Sequence, residues 1–474
     1  MPLRRVLRGF ATLAAGMLAT QLIGFVALAY AARHLGPHAL GAATFALNVA
    51  LYFTIPANFG IAVLGIRDVA RTPERAREIA GEVLAIRVVF GTITAGAMAL
   101  LAPVLAADHD TRRLLPFAAL VVVAGSFSGE WTLFGLQRSG AVALARFAGQ
   151  AAYGLLVLLA LGTGFGGSKD FVLYTTLSIV VTSVLTLFAA WRAVGAPTPV
   201  AGVRALRARV LASAPLGLAL VMVQVYQSIG AVLLGYLKGP AEVGVYGVAQ
   251  KLPLALYGVM DLWSATLFPQ AARLVDTDRP ALQEQVRAFL SLSLAVAIPL
   301  VAGGAITGAA LMPLLFGDAY DGAGGPFVVL LAGLAIALVT VSPASVLAAG
   351  GEERRYARAL IGGALVTVVL ALVLIPVDGV AGASFAVLGA ELAILAFVGR
   401  RFAAVMGGVS IDGGRTLRIV AATGVMAAAM LGVGTVAGVL VQIVVGLVVY
   451  VIAAPALGVV RMSELRGLRR GADA

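Results

Sequence analysis

The residues that could do chemistry in this 474-residue chain are few, and most lie inside apolar runs. Wound as a helix at 100° per residue, the run 243–268 gathers Tyr246, Gln250, Tyr257 and Asp261 within about 60° of one another. Lys251 flanks that stripe, and Pro253 is placed to bend it. Gln224, Gln227 and Ser228 share helical-neighbour spacing in the preceding run. The only two asparagines, Asn48 and Asn58, fall in one apolar run, and Gln21 and Arg87 complete the candidate polar set. A cation such as Lys251 among amides and phenols suits an anionic head-group that carries sugars. A Lys or Asp at the centre of a spanning helix costs about 2.5–3.5 kcal/mol, so such residues usually face a cavity or a partner. Plainer alternatives exist for each. Lys251 could pair with Asp261 or snorkel, the asparagines could join helices, and Arg87 could snorkel toward its helix end. Glu82 reads as interfacial. Glu130 and Glu391 could carry a proton or join helices as protonated carboxyls.

Other chemistries are excluded or unsupported. The chain has no Cys, which removes disulfides, thiol catalysis and Cys-ligated metals. None of the three Lys (Lys169, Lys238, Lys251) lies in a G-x-x-x-x-G-K-[ST] context, so there is no P-loop. His34 and His38 have the i, i+4 spacing that holds a metal on a helix. Gly36 and Pro37 between them spoil that geometry, so no metal site is expected there. No Ser/His/Asp constellation stands in a loop. The expectation is a non-enzyme with no cofactor.

The elements that must position these residues follow from composition. Hydrophobic residues make up 61% and charged residues 12%, and mean hydropathy is +1.01. Soluble domains are about half apolar and a quarter charged, so a soluble multidomain enzyme is ruled out and a polytopic membrane protein is implied. Apolar runs of about 20 residues give fourteen spans, near 10–32, 39–64, 80–106, 114–136, 141–162, 171–191, 211–236, 243–268, 289–315, 326–349, 358–376, 380–399, 417–436 and 438–457. The last two form a hairpin about Gly432 and Gly434. The basic start, Met1–Arg8, precedes a run too long for a signal peptide and reads as a retained helix.

Fourteen spans place 27 of the 34 basic residues on one side. Arg33, Arg112, Arg113, Lys169 and Lys238 fall on the other, and Arg87 and Lys251 lie within spans. Positive residues mark the cytoplasmic side, so both termini are expected there. The net charge of +12 then reflects topology and affinity for anionic membrane lipid, with no nucleic-acid partner. The segment 67–78 reads as an amphipathic interfacial helix.

The halves repeat. Gly36-Pro37 followed by Gly41 recurs as Gly239-Pro240 followed by Gly244, an offset of 203 in each case. That offset sets Asn48 against Lys251 and Asn58 against Asp261. Six intervening spans make the copies parallel. The expected architecture is all-α, with two parallel-related six-helix bundles around a central cavity and a C-terminal helix pair. Its parts are 1–194, a cytoplasmic linker 195–210, 211–400, and 401–474 with two further helices and a basic tail.

Several stretches together carry a family resemblance. They are Arg33-His34-Leu35-Gly36-Pro37-His38-Ala39-Leu40-Gly41, the run Gly235 to Leu252, Glu130-Trp131 through Arg138, Leu315 to Tyr320, and Ile375-Pro376-Val377-Asp378-Gly379-Val380-Ala381-Gly382-Ala383. In this order and spacing the chain resembles the polysaccharide-biosynthesis flippases, the Wzx-type branch of the multidrug/oligosaccharidyl-lipid/polysaccharide exporter superfamily. The resemblance implies a flippase of the bacterial plasma membrane. It would carry undecaprenyl-pyrophosphate-linked glycan to the outer leaflet while two bundles rock about a cationic cavity. Related lipid II flippases have basic residues in span 1, whereas here only Gln21 and Tyr30 are sizeable polar groups before Arg33. Lys251 and Arg87 would then be the main cavity charges. A partner polymerase and a coupling ion, proton or sodium, are left open. The rival readings are an ion-coupled multidrug or cationic-metabolite exporter of the same superfamily, and a membrane enzyme acting on polyprenyl-linked sugars.

Overall fold

The computed structural model describes residues 3–163, 166–198, 202–275, 277–407, 412–434 and 438–459. Among the described residues the regular structure is helical, and no strand occurs. Apolar runs this long cannot leave backbone groups unpaired in hydrocarbon, and a helix satisfies them within one segment. The chain divides into two compact units, Met1–Gly244 and Val245–Ala474.

The first unit contains α1 (Leu3–Asn58), α2 (Ile61–Arg71), α3 (Ala76–Leu100), α4 (Ala102–Leu105), α5 (His109–Ser126), α6 (Glu130–Gly135), α7 (Ser139–Gly162), α8 (Ser168–Val194) and α9 (Val203–Lys238). Within it α1 packs on α3, α5, α7, α8 and α9. The unit boundary falls near the start of α10 (Pro240–Leu274). The second unit continues with α11 (Arg279–Phe316), α12 (Gly324–Ala349), α13 (Glu353–Met406), α14 (Gly413–Gly434) and α15 (Val439–Ala456). There α12 packs between α11 and α13, and α14 pairs with α15 and α11.

Among the described residues, eleven helices are long and apolar enough to cross a membrane. That differs from the fourteen spans read from the sequence, and the difference lies in how segments join. Two of the eleven are double. The Ala19–Asn58 stretch of α1 has 40 residues, about 60 Å of helix against a hydrocarbon core of about 30 Å. It is broken at Gly36, with φ 72° and ψ 173°. In α13 the break is at Asp378 and Gly379. Its arms run antiparallel, because Gly382 lies against the carbonyl of Leu374, Gly389 against Leu370, and Gly363 against Ile394. The expected span 243–268 falls in α10, a single 35-residue helix with some residues outside the described set, so it is not counted among the eleven.

The segment 67–78 also departs from expectation. It is not one helix. Pro73 restricts the residue before it, so α2 stops at Arg71, Thr72 turns away at φ −134° and ψ 69°, and a 3₁₀ turn, Pro73–Arg75, leads into α3. The apolar side of α2 is buried: Ile61 and Val69 join Ile79, Val83, Ile86 and Trp131 in one core cluster.

Polarity is reversed relative to a water-soluble fold. On α15, Leu440, Val444, Leu447 and Val451 are exposed along one face, which only a lipid environment tolerates. Several buried hydroxyls are satisfied locally. Ser126, Thr176, Thr340, Thr367 and Ser384 each donate to the carbonyl four residues earlier, which removes their cost in a dry interior.

The Gly-Pro repeat has a structural counterpart. Gly239 takes φ 94° and ψ 174°, nearly the conformation of Gly36. Gly41 packs against the carbonyl of Pro240, and Gly244 packs against the carbonyl of Pro37. Each copy thus seats its glycine on the other's proline, within the first unit. A Cβ at either glycine would fall on backbone that cannot yield. Gly41→Ala and Gly244→Ala are each expected to cost about 1–3 kcal/mol, as overpacking does. The readout is a lowered melting temperature in detergent. Gly424→Ala, which meets open space, should leave it unchanged.

Candidate functional site

The most constrained polar group in the first unit is Arg87. It is 5% exposed on α3. Its Nε donates to Asn58 Oδ1 at 2.9 Å, one terminal nitrogen to the Ser128 carbonyl at 2.8 Å, and the other to the Gly125 carbonyl at 2.7 Å. These carbonyls lie at the end of α5 and in the break before α6, where the helical ladder stops; Gly125 O also accepts Ser128 N at 3.2 Å. The rest of the break is also satisfied. Gly129 N donates to Thr186 Oγ1 at 3.2 Å, and Glu130 N to Ser128 Oγ at 3.3 Å. Glu130 accepts both arms of Arg146 at 2.8 Å. Irregular backbone at membrane depth persists only when buried and paired in this way.

Asn58 Nδ2 donates to Thr54 O at 3.1 Å, so both ends of its amide are engaged. Asn48 Nδ2 donates to Thr44 O at 2.9 Å. Gln224 donates to Ser228 one turn along α9. Gln21 and Gln227 are exposed. Glu82 joins Asp68 around Arg209, at 2.9 and 3.0 Å.

In the second unit the α10 stripe splits. Tyr246 is fully buried. Gln250, Lys251 and Tyr257 are half-buried. Tyr257 donates its hydroxyl to Glu391 Oε1 at 3.0 Å. Glu391, 4% exposed on α13, is a polar site residue that the α10 periodicity alone does not single out. The side chain of Asp261 lies outside the described residues. Lys251 has no hydrogen bond or ion pair to another described residue. A Lys251–Asp261 pair is excluded by α10 itself, since ten residues of one helix separate their Cα atoms by about 15 Å. Periodicity could not make these distinctions, because it assigns a face without saying what packs on it.

Leu252, which follows Lys251 in sequence, and Leu256 of α10 line an apolar cleft of about 500 Å³, a size common for ligand sites; Lys251 itself is not one of its lining residues. Pro299 of α11, Phe327 of α12, Met430 of α14 and Leu447 of α15 line its other walls. Tyr450 closes one edge and donates its hydroxyl to the Ala295 carbonyl at 2.6 Å. The structure thus groups Arg87 with Asn58 in one unit and Tyr257 with Glu391 in the other.

Residues 6–275 match the family described as "Polysaccharide biosynthesis protein". No curated protein matches the chain by sequence. The lipid II flippase MurJ in an inward closed conformation is similar in structure, with a TM-score of 0.72 at 13% identity over 94% of this chain and 98% of that one. An inward-facing multidrug resistance MATE family transporter of the MOP superfamily gives 0.62 at 16% identity, over 82% and 96%. A MOP superfamily transporter from Pyrococcus furiosus gives 0.50 at 18%, over 82% and 96%. At these identities the likeness is one of fold, an all-helical, multi-pass arrangement.

Proposed function

The chain belongs to the polysaccharide biosynthesis protein family, and on that premise we propose that it flips a polyprenyl-pyrophosphate-linked oligosaccharide from the cytoplasmic to the outer leaflet of a bacterial inner membrane. The observation that carries this reading is the family match over more than half of the chain. The helical transporter fold, similar to that of a lipid II flippase, supports it. The reaction is transport by alternating access of two repeat-related bundles. No covalent step is required.

The residues support the reading in physical terms. A pyrophosphate is costly in hydrocarbon, and a cation with polar side chains lowers that barrier. Lys251, one position before the cleft-lining Leu252, supplies the cation, and Gln250 and Tyr257 supply amide and phenol groups for sugar. The cleft has the apolar lining an isoprenyl tail needs. The arginine distribution orients both termini to the cytoplasm. Bilayer lipid surrounds the spans. A polymerase that takes the flipped glycan, and a proton or sodium ion that drives the cycle, belong to the same proposal.

The test is the leaflet distribution of polyprenyl-pyrophosphate-linked glycan in a deletion strain, with and without re-expression of the wild-type chain. Accumulation on the cytoplasmic leaflet, reversed by re-expression, is expected. An unchanged distribution with surface polymer intact would overturn the reading, and altered ethidium sensitivity in that strain would put the exporter in its place.

A further inference from the structure

The reciprocal contact of the Gly-Pro repeat has a symmetry that packing alone does not require. Gly41 meets the carbonyl of Pro240, and Gly244 meets the carbonyl of Pro37. Under the offset of 203, position 37 becomes 240 and position 41 becomes 244. Each contact is thereby converted into the other. A set of contacts that maps onto itself in this way is isologous, and it lies on the two-fold axis relating its copies. Parallel repeats have that axis along the membrane normal. All four residues belong to the first unit. The contact also has a definite depth. Pro37 follows the break in α1, and Pro240 opens α10. Arg33 and Lys238, which fall opposite the main basic side, precede the two turns, and this puts the contact toward the outer surface. Asn48 and Lys251, themselves repeat mates, lie seven residues further along each helix, about 10 Å inward.

We propose that this reciprocal Gly-Pro contact is the outer seal of the transport path, closed on the axis while cargo loads from the cytoplasm and parted to release it outward. The inference rests on the transport reading above, since a seal needs a path to close. Its chemistry suits a contact that forms and parts. The approach is backbone on backbone: a Cβ on Gly41 would stand 2.7 Å from Gly244 N. What meets each carbonyl is a glycine Cα–H, which is a weak interaction, so opening the contact breaks no strong bond between the four residues. Any side chain at 41 or 244 would hold the two backbones apart and leave the seal ajar. Gly36 and Gly239, with φ 72° and 94°, stand immediately before the contact at equivalent positions. Hinges are a few residues at the ends of elements that absorb changes in φ and ψ, and these two glycines are so placed. The seal lies outward of Lys251, so a head-group held there is shut off from the outer leaflet until the contact opens.

The chain has no Cys, so introduced thiols report without background. His38→Cys and Ala241→Cys are repeat mates at exposed positions, each following a contact proline. In cells carrying both, a short bis-methanethiosulfonate reagent that joins the two thiols is expected to stop glycan export, and dithiothreitol to restore it. Either single variant with the same reagent should export normally, and a long-spacer reagent should join the pair and leave export intact. Undiminished export through the short link would overturn the proposal. A readout free of cargo separates the seal from the transport reading. Spin labels on the same two thiols, in the full chain in lipid nanodiscs, should give a short and a long distance population by double electron–electron resonance. Adding Gly41→Ala should shift weight to the long one, whereas Gly424→Ala, which meets open space, should not. A single narrow distance that Gly41→Ala leaves unchanged would make the contact fixed packing and overturn the seal, whatever the chain carries. Two populations in a chain whose deletion leaves the glycan's leaflet distribution unchanged would keep the seal and remove only the glycan.

Discussion

Lys251→Ala is expected to abolish glycan export while the protein accumulates at its normal level. The two halves of that expectation come from different observations. Lys251 has no hydrogen bond or ion pair to another described residue, so its removal breaks no polar pairing among them. A lysine in a spanning helix costs about 2.5–3.5 kcal/mol on insertion scales, so the alanine variant should insert at least as well as wild type. A residue kept at that cost, beside an apolar cleft and without a described protein partner, has a role that packing does not supply. The measurement pairs immunoblot abundance in the membrane fraction with surface polymer. Lys251→Arg, which keeps the charge, should retain part of the export. Full export by Lys251→Ala at normal abundance would remove Lys251 from the mechanism and leave the family assignment untouched.

Arg87→Met is expected to give the opposite pattern: little folded protein in the membrane. Methionine fills much of the same volume but leaves the Ser128 carbonyl and the Asn58 amide oxygen without their donor, and leaves the Gly125 carbonyl only its backbone partner, Ser128 N. Each buried unsatisfied group costs about 1–3 kcal/mol, so a combined loss of about 3–5 kcal/mol is expected. That is a large part of the 5–15 kcal/mol that holds a typical domain together. Arg87→Lys keeps the charge but cannot span three acceptors with a planar fork, and should be intermediate. Fluorescence-detected size-exclusion of detergent extracts would show the loss as a fall in the monodisperse peak. A normal peak for Arg87→Met with export lost would instead return Arg87 to the substrate path.

These two cations looked alike in the sequence. Each was a lone basic residue within an apolar run, and helix period placed each on a face without naming its neighbour. Arg87 takes its acceptors from residues 29, 38 and 41 positions away. Tyr257 reaches Glu391 across 134 positions. Spacing alone sets His38 beside His34, whereas the groups nearest its ring are Asp108 and Asp110 at the start of a different helix. The repeat was legible in part because Gly-Pro chemistry is local, and Gly36 and Gly239 adopt the conformation that glycine alone tolerates well.

By itself the sequence determined an all-helical, multi-pass membrane protein, because run length, helix period and the demand for paired backbone in lipid all act within single segments. It also determined the family, because the Gly-Pro and loop motifs lie in consecutive residues. Only the tertiary structure decided which polar groups are already engaged and how consecutive spans meet at the Gly36 and Asp378–Gly379 breaks. Those outcomes depend on contacts between helices far apart in the chain. In hydrocarbon a polar side chain has nearly the same cost whatever its role, until a neighbour either satisfies it or leaves it open to a ligand.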